Sequence, residues 1–454
     1  MNLQHQHTQS QPSRSQNSQY QILLPEWIVT VNSTFEVLTD CALVIKANKI
    51  HSIVATNELE QLDFFDQAKL YRLPGQALMP GLVNSHTHAS MSLFRGIADD
   101  IALMDWLNHH IWPAEQKWMS SQFVTDGFEL SAAEMIRSGT TCMNDMYFYP
   151  DLVARSAQKL GMRTVVGLIV LDFPTAWAKN ADDYLSKALA VHDEVSELSL
   201  VSSTLAPHAP YTVSDAPLEK IAKYSNDLGL PVHMHIHETA FEVSDAEKNT
   251  GKRPLERLDQ LDLVNSNLIA VHMTQLNDSE IDRLAETGAH VVHCPESNLK
   301  LASGMCPVAA LQDKAVNVCL GTDGAASNND LDMFGEMRTA ALLAKGVSGN
   351  AAACTAPQAL QMATINGAKA LGLGNDIGSI EIGKFADLIA VNLSHLNTQP
   401  LYDVVAQLVY ATNSRQVSHV WIDGVCQLDD YKFSQIDEAA IISKAKAWST
   451  KISN

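Results

Sequence analysis

The 454-residue sequence predicts an α/β fold, a (β/α)8 TIM-like barrel carrying a small β-sandwich domain formed from both chain ends. Three observations predict it. Short apolar runs alternate with helical stretches between about residues 76 and 323, the alternation that builds a parallel sheet. Eight such runs occur, ending near Ser85, Met146, Leu171, Ala206, His237, His272, Cys294 and Thr322. Polar residues suited to chemistry stand at the ends of the first, fifth, sixth and eighth runs, and a closed barrel, unlike an open doubly wound sheet, gathers those ends around one pocket.

Taken in order, residues 1–19 are rich in Gln, Ser and His with a single Arg, which predicts a disordered tail and not a secretory leader. Residues 20–75 alternate apolar and polar in short strands such as Trp27-Ile28-Val29-Thr30-Val31, and residues 378–432 do the same around Gly378, Gly383 and Gly424. Neither flank can build a comfortable core alone, so 20–75 plus 378–432 are expected to pair as the β-sandwich. The barrel then occupies 76–377 and a C-terminal helix 433–454. Within the barrel, Thr164-Val165-Val166-Gly167-Leu168-Ile169-Val170-Leu171 is nearly all apolar, the mark of a strand buried on both faces. Ser214-Asp215-Ala216-Pro217 opens an amphipathic run that stops at Gly229, and Asn277-Asp278-Ser279-Glu280 opens one that stops at Gly288.

Composition narrows the function classes. With 31 Lys plus Arg against 51 Asp plus Glu, the formal net charge is −20, which disfavours nucleic acid or an anionic membrane as partner. No apolar stretch approaches the roughly 20 residues a transmembrane helix needs. Seven scattered cysteines, without a Cys-x-x-Cys pair, read as reduced core thiols of a cytoplasmic protein. A homo-oligomer is the ordinary expectation for a soluble metabolic enzyme.

The sharpest local signal is Pro80-Gly81-Leu82-Val83-Asn84-Ser85-His86-Thr87-His88. An extended chain has a side-chain period of two, so His86 and His88 face the same side at a strand end, half of a metal site. In His233-Met234-His235-Ile236-His237-Glu238 three histidines share one face. Spacing does not choose among them, although the C-terminal mouth of a barrel favours His235 and His237 over His233. His272 and Asp323 each end a further apolar run. Singly they read as a structural His and a turn Asp; together with the others they offer histidines and a carboxylate to one divalent ion, zinc by donor type, with a position left for water. Such an ion lowers the pKa of bound water to about 7, and Glu238 stands beside it as a proton shuttle with Asp323 as acidic partner. Hydrolytic attack on an sp2 carbon follows, without identifying the substrate.

At this point the residues resemble the amidohydrolase superfamily. The stretches that narrow the resemblance are Leu93-Phe94-Arg95-Gly96-Ile97-Ala98-Asp99-Asp100, Trp112-Pro113-Ala114-Glu115, Pro207-His208-Ala209-Pro210-Tyr211, His293-Cys294-Pro295-Glu296-Ser297-Asn298 and Gly321-Thr322-Asp323-Gly324. They are similar to the 5′-methylthioadenosine and S-adenosylhomocysteine deaminases, and more widely to chlorotriazine hydrolases and guanine deaminase. The segment from Gly378 to Ile389 looks like the one that closes the β-sandwich in these enzymes.

The resemblance implies metal ligands His86, His88, His235 and Asp323, with Glu238 three residues after the strand-five ligand. It implies that His272 orients the attacking water, that Glu115 holds the ribose hydroxyls of a nucleoside, and that His208 contacts substrate. Without it, Glu115 would read as a solvated helix residue near Lys117 and His208 as part of a rigid loop. Some relatives also use an arginine near the end of strand three; here that strand ends Val170-Leu171-Asp172-Phe173, which leaves the contacts to the 5′-thio group unassigned.

The expected activity is hydrolytic deamination at adenine C6 of 5′-methylthioadenosine or S-adenosylhomocysteine, with Asp323, Glu238 and His272 catalytic. The alternative is another amidohydrolase reaction, deamination of guanine, 8-oxoguanine or a triazine, or triazine dechlorination.

Overall fold

The computed structural model describes residues 19–453, so the expected disordered tail, Gln19 apart, lies outside the described residues. Eight parallel strands follow one another in sequence order: β1 (Leu82–Thr87), β2 (Thr140–Tyr147), β3 (Arg163–Val170), β4 (Val201–Pro207), β5 (Val232–Ile236), β6 (Leu268–His272), β7 (His290–His293) and β8 (Asn317–Leu320). The ring closes between first and last. Asn84 on β1 donates to Thr322 Oγ1 at 2.8 Å and accepts from the Thr322 N–H at 3.1 Å, and the Asp323 N–H donates to the His86 carbonyl at 3.1 Å.

Burial explains the apolar run of β3, every residue of which is buried, with side chains filling the barrel on one face and meeting the helical layer on the other; β2 is as fully buried although Thr140, Thr141, Asn144 and Asp145 make half of it polar. Gly167 lies where a Cβ would come within 2.6 Å of the Asp145 carbonyl oxygen, so close approach of β3 to β2 requires its missing side chain. The helix punctuation also has a physical form. Asn277 and Glu280 make a reciprocal capping box at the start of Asp278–Thr287, which ends at Gly288 with φ 73°. Ser214 precedes Asp215–Leu228 but its hydroxyl makes no cap; the Ser214 N–H donates instead to Asp172 at 2.8 Å.

Both chain ends join one nine-stranded sheet. Leu388–Asn392, from the C-terminal part, pairs antiparallel with Lys69–Pro80, from the N-terminal part, and Tyr20–Val29 lies on the other side of Lys69–Pro80. Leu23, Leu43, Tyr71, Leu78, Leu388 and Trp421 from five of its strands share one small core. Pro80 runs through Gly81 directly into β1, so the sheet and the barrel share a continuous backbone. The last helix, Glu438–Ser453, buries Ile441 and Trp448 and ties itself to Ser121–Ser138 by the Trp448 indole N–H donating to Asp126 at 3.0 Å. All seven cysteines are free thiols, five of them buried. Among the described residues, no helix is long and apolar enough to cross a membrane.

Candidate active site

The strand ends bring four side chains together at the C-terminal mouth. Ligand atoms of His86, His88, His235 and Asp323 all lie within 4.8 Å of one another. His86 Nε2 is 3.2 Å from His235 Nε2 and 3.3 Å from Asp323 Oδ1, and His88 Nε2 is also 3.3 Å from Asp323 Oδ1. The outer nitrogens face hydrogen-bond partners: His88 Nδ1 the Met146 carbonyl at 2.6 Å, His235 Nδ1 the His208 carbonyl at 2.7 Å, and His86 Nδ1 the His233 Nε2 at 2.9 Å.

Those partners test whether a metal fits. A carbonyl only accepts, so His88 and His235 carry their protons outward, and their inner nitrogens present lone pairs. Burial pushes His86 down to about 4 and holds His235 well below the usual imidazole range, so both rings are neutral at pH 7. Burial works against charge on Asp323, yet the His86 contact and the imidazoles of His88 and His272 hold its carboxyl well below the usual range. Two neutral imidazole nitrogens 3.2 Å apart beside a carboxylate repel unless a cation lies between them. Three histidines and one aspartate are donors that suit zinc, and the four side chains fit a divalent metal ion.

The surroundings fix these donors in place. Asp323 Oδ2 accepts from Ser297 Oγ at 2.7 Å and Ser327 Oγ at 2.9 Å, and Oδ1 from the Gly324 N–H at 2.8 Å. His272 (φ 75°) and Asp323 (φ 59°) adopt the left-handed backbone region, which costs about 1–3 kcal/mol each and recurs where a chain turns sharply at a functional site. His272 Nδ1 meets Asn298 Oδ1 at 2.8 Å, leaving Nε2 3.8 Å from Glu238 Oε2. Burial, with the Asp323 charge adding, pushes the Glu238 carboxyl up to about 8, so it holds a proton it can give.

The metal cluster opens into a cavity of about 590 Å3. His88, His208, His235, Glu238, His272 and Asp323 all line it, and so does Glu115. Glu115 comes from outside the barrel, on a helical segment spanning 103–118 that also supplies Trp106, Leu107, Ile111 and Trp112 to the wall. Its carboxylate accepts from the Tyr147 hydroxyl at 2.8 Å, and burial pushes it up to about 7 with that hydrogen bond pulling the other way. His208 Nδ1 faces Thr212 Oγ1 at 3.1 Å, and its ring centroid lies 4.8 Å from that of His235.

Of the site residues named from the sequence, His88, Glu115, His208, His235, Glu238, His272 and Asp323 line this one cavity and His86 lies buried directly behind it against His235 and Asp323, while His233 and His237 do not line it. His233 backs His86 from below, and His237, with φ 54°, accepts from the Leu255 N–H at 3.2 Å. Sequence reasoning assigned no role to Tyr147, Asn298, Ser297 and Ser327, although Ser297 and Asn298 stand in a stretch that carries the resemblance. Tyr147 ends a buried strand and looks like any core aromatic; Asn298 and Ser297 are short polar residues whose partners lie 26 residues away, and Ser327, four residues past Asp323, is one small polar residue among several in its loop.

Barrel, donor set and proton-bearing carboxylate together define a metal-dependent hydrolase. The amidohydrolase family model matches residues 77–426, and the chain belongs to that family. It is 50% identical to the 5-methylthioadenosine/S-adenosylhomocysteine deaminase of Saccharophagus degradans, over 95% of this chain and 96% of that one. Its structure is similar to that of an adenosine deaminase from Xanthomonas campestris with bound zinc, at TM-score 0.92 and 48% identity, covering 95% of this chain and 98% of that one. Atrazine chlorohydrolase from Arthrobacter aurescens, complexed with zinc, shares the fold at TM-score 0.88 but only 20% identity, over 94% and 99% of the two chains.

Proposed function

We propose that the chain hydrolyses the C6 amino group of 5′-methylthioadenosine, taking up water and releasing ammonia and the inosine analogue. The observation that carries this is a single cavity lined by three of the four metal donors, by Glu238 and by a separate carboxylate, Glu115. A carboxylate can accept from two neighbouring hydroxyls at once, which selects a ribonucleoside over a free base. The relative at 50% identity is named for the same substrate class.

His86, His88, His235 and Asp323 would hold zinc, which when bound supplies Lewis-acid activation of water near neutral pH. The protein's own groups do the rest. Asp323 takes a proton from the attacking water, His272 aims that water at C6, and Glu238 gives its proton to ring N1 and later helps protonate the departing amine. His208 contacts the base from the cavity wall.

The tail of the nucleoside separates the two substrates in the relative's name. S-adenosylhomocysteine ends in an amino acid whose carboxylate is bound most strongly by a cation, and no Lys or Arg is among the described residues that line the cavity. Its walls instead offer Leu103, Phe148, Ile169, Leu171 and Phe173, which suit a methylthio group. The test is an ultraviolet assay of zinc-loaded protein with ammonia quantified, against 5′-methylthioadenosine, S-adenosylhomocysteine, adenosine, adenine and guanine. The methylthio nucleoside should have the highest kcat/KM. Faster turnover of S-adenosylhomocysteine overturns the tail assignment, and activity confined to a free base or a triazine overturns the role of Glu115.

A further inference from the structure

We infer that Tyr147 is a positioning residue that aims the Glu115 carboxylate into the cavity and so sets the preference for a ribonucleoside. This rests on Glu115 being the ribose-binding carboxylate. Tyr147 ends β2 and is buried; Glu115 is half-buried and reaches the cavity from the separate helix Trp112–Trp118. The 2.8 Å hydrogen bond from phenol to Oε1 is therefore the tie between a rigid barrel strand and a helix that lies over the mouth. Tyr147 is itself held by packing, with its ring centroid 5.1 Å from Phe148 and 6.4 Å from His88.

The chemistry of the pair is asymmetric. Burial, together with the Glu115 charge, raises the Tyr147 phenol well above its ordinary value, so it remains a neutral donor throughout the working range. It uses one of the roughly four lone-pair positions of the carboxylate and leaves the others for a diol. The other ionisable side chains that act on the pair are Tyr184, facing Glu115, and Asp145, beside Tyr147; His88, His208, Glu238 and Asp323 share the cavity.

A raised carboxyl is protonated at the lower pH, and only the ionised form accepts from both ribose hydroxyls. KM for the nucleoside should therefore rise as pH falls through about 7. The Tyr147 hydrogen bond favours the ionised form, so removing it moves this limb to higher pH.

The experiment measures KM and kcat against pH for zinc-loaded wild type, Tyr147→Phe, Glu115→Gln and the double variant, with 5′-methylthioadenosine. Tyr147→Phe should raise KM by roughly 5- to 30-fold with a much smaller change in kcat and shift the limb upward. Glu115→Gln should raise KM and remove the limb, and Tyr147→Phe should then add little in that background. An unmoved KM and limb in Tyr147→Phe overturn the inference. So does a Tyr147→Phe effect of full size without Glu115, because packing alone would then explain it. If Glu115→Gln leaves KM unchanged, the ribose assignment fails instead. Should Tyr147→Phe lose zinc or stability, Glu115→Asp tests the same tie from the other side; its shorter carboxylate must move the limb upward, and a limb that stays in place overturns the inference.

Discussion

In the proposed reaction Glu238 makes the difference between a metal-holding barrel and an enzyme. It is buried, is not one of the four clustered donors, and carries a carboxyl pushed up to about 8, while Asp323 beside it is held far down. Two carboxyl groups with environments that drive them apart divide the work of acid and base. Glu238→Gln keeps the shape and the zinc but has no proton to cycle, so kcat should fall by about 10^2- to 10^4-fold with zinc content unchanged. Zinc by atomic absorption and turnover on the same preparation check it, and a near-normal rate would remove Glu238 from the mechanism. The position of this residue was legible because metal chemistry leaves short-range marks. His86 and His88 share a face by the period of a strand, and Glu238 sits three residues past His235. Tyr147 and Asn298 were not legible, since nothing local distinguishes a tyrosine or asparagine that serves a partner 32 or 26 residues away.

At the scale of elements, most of the eight strands could be read from buried apolar runs because both their faces meet protein, whereas the course of the helical segment that carries Glu115 could not. From Leu103 it runs as α-helix, widens into a π turn at Leu107–Ile111, where the Trp112 N–H reaches back five residues to the Leu107 carbonyl, and returns to α-helix at Trp112–Trp118. The π turn has a cause in Pro113. A proline there has no N–H for the carbonyl four residues back and its ring would clash with it; the wider turn accommodates both. One extra residue also rotates everything after it by about 100° around the helix, which changes the face on which Glu115 emerges. Removing the exposed His109 from the π turn should take that rotation away, turn Glu115 out of the cavity, and raise KM for a nucleoside at least tenfold, given the roughly 10^2-fold cost of a 1 Å misplacement. Zinc content should not change, because all four donors lie on barrel strands or just beyond them. Full nucleoside affinity in the deletion variant would show that the bulge does not place Glu115.

At the scale of the whole molecule, the barrel and the two-ended sheet are held by a buried ion pair at the end of the barrel opposite the active site. Arg163, first residue of β3, donates from Nε to Asp387 Oδ2 at 2.6 Å and from Nη2 to Oδ1 at 3.0 Å; both side chains are almost fully buried. Asp387 also accepts from the Asp423 N–H at 2.8 Å, while its own carbonyl accepts from the Gly81 N–H at 2.9 Å, next to the start of β1. One aspartate thus links β3, the turn before β1 and the C-terminal hairpin, and so ties the two-ended sheet to the barrel. Removing one partner of a buried pair costs about 3–5 kcal/mol, which Asp423, with Oδ1 3.6 Å from Arg163 Nη2, offsets in part when Asp387 is lost, while replacing both with apolar side chains costs much less. Asp387→Ala should therefore lower the unfolding midpoint markedly, and Arg163→Met with Asp387→Leu should recover part of it. Because the clasp is remote from the mouth, kcat/KM per folded molecule should be unchanged in each variant. A loss of kcat/KM with the midpoint intact would mean that the clasp shapes the site and not the assembly of the fold, so denaturation and kinetics must be measured on the same samples.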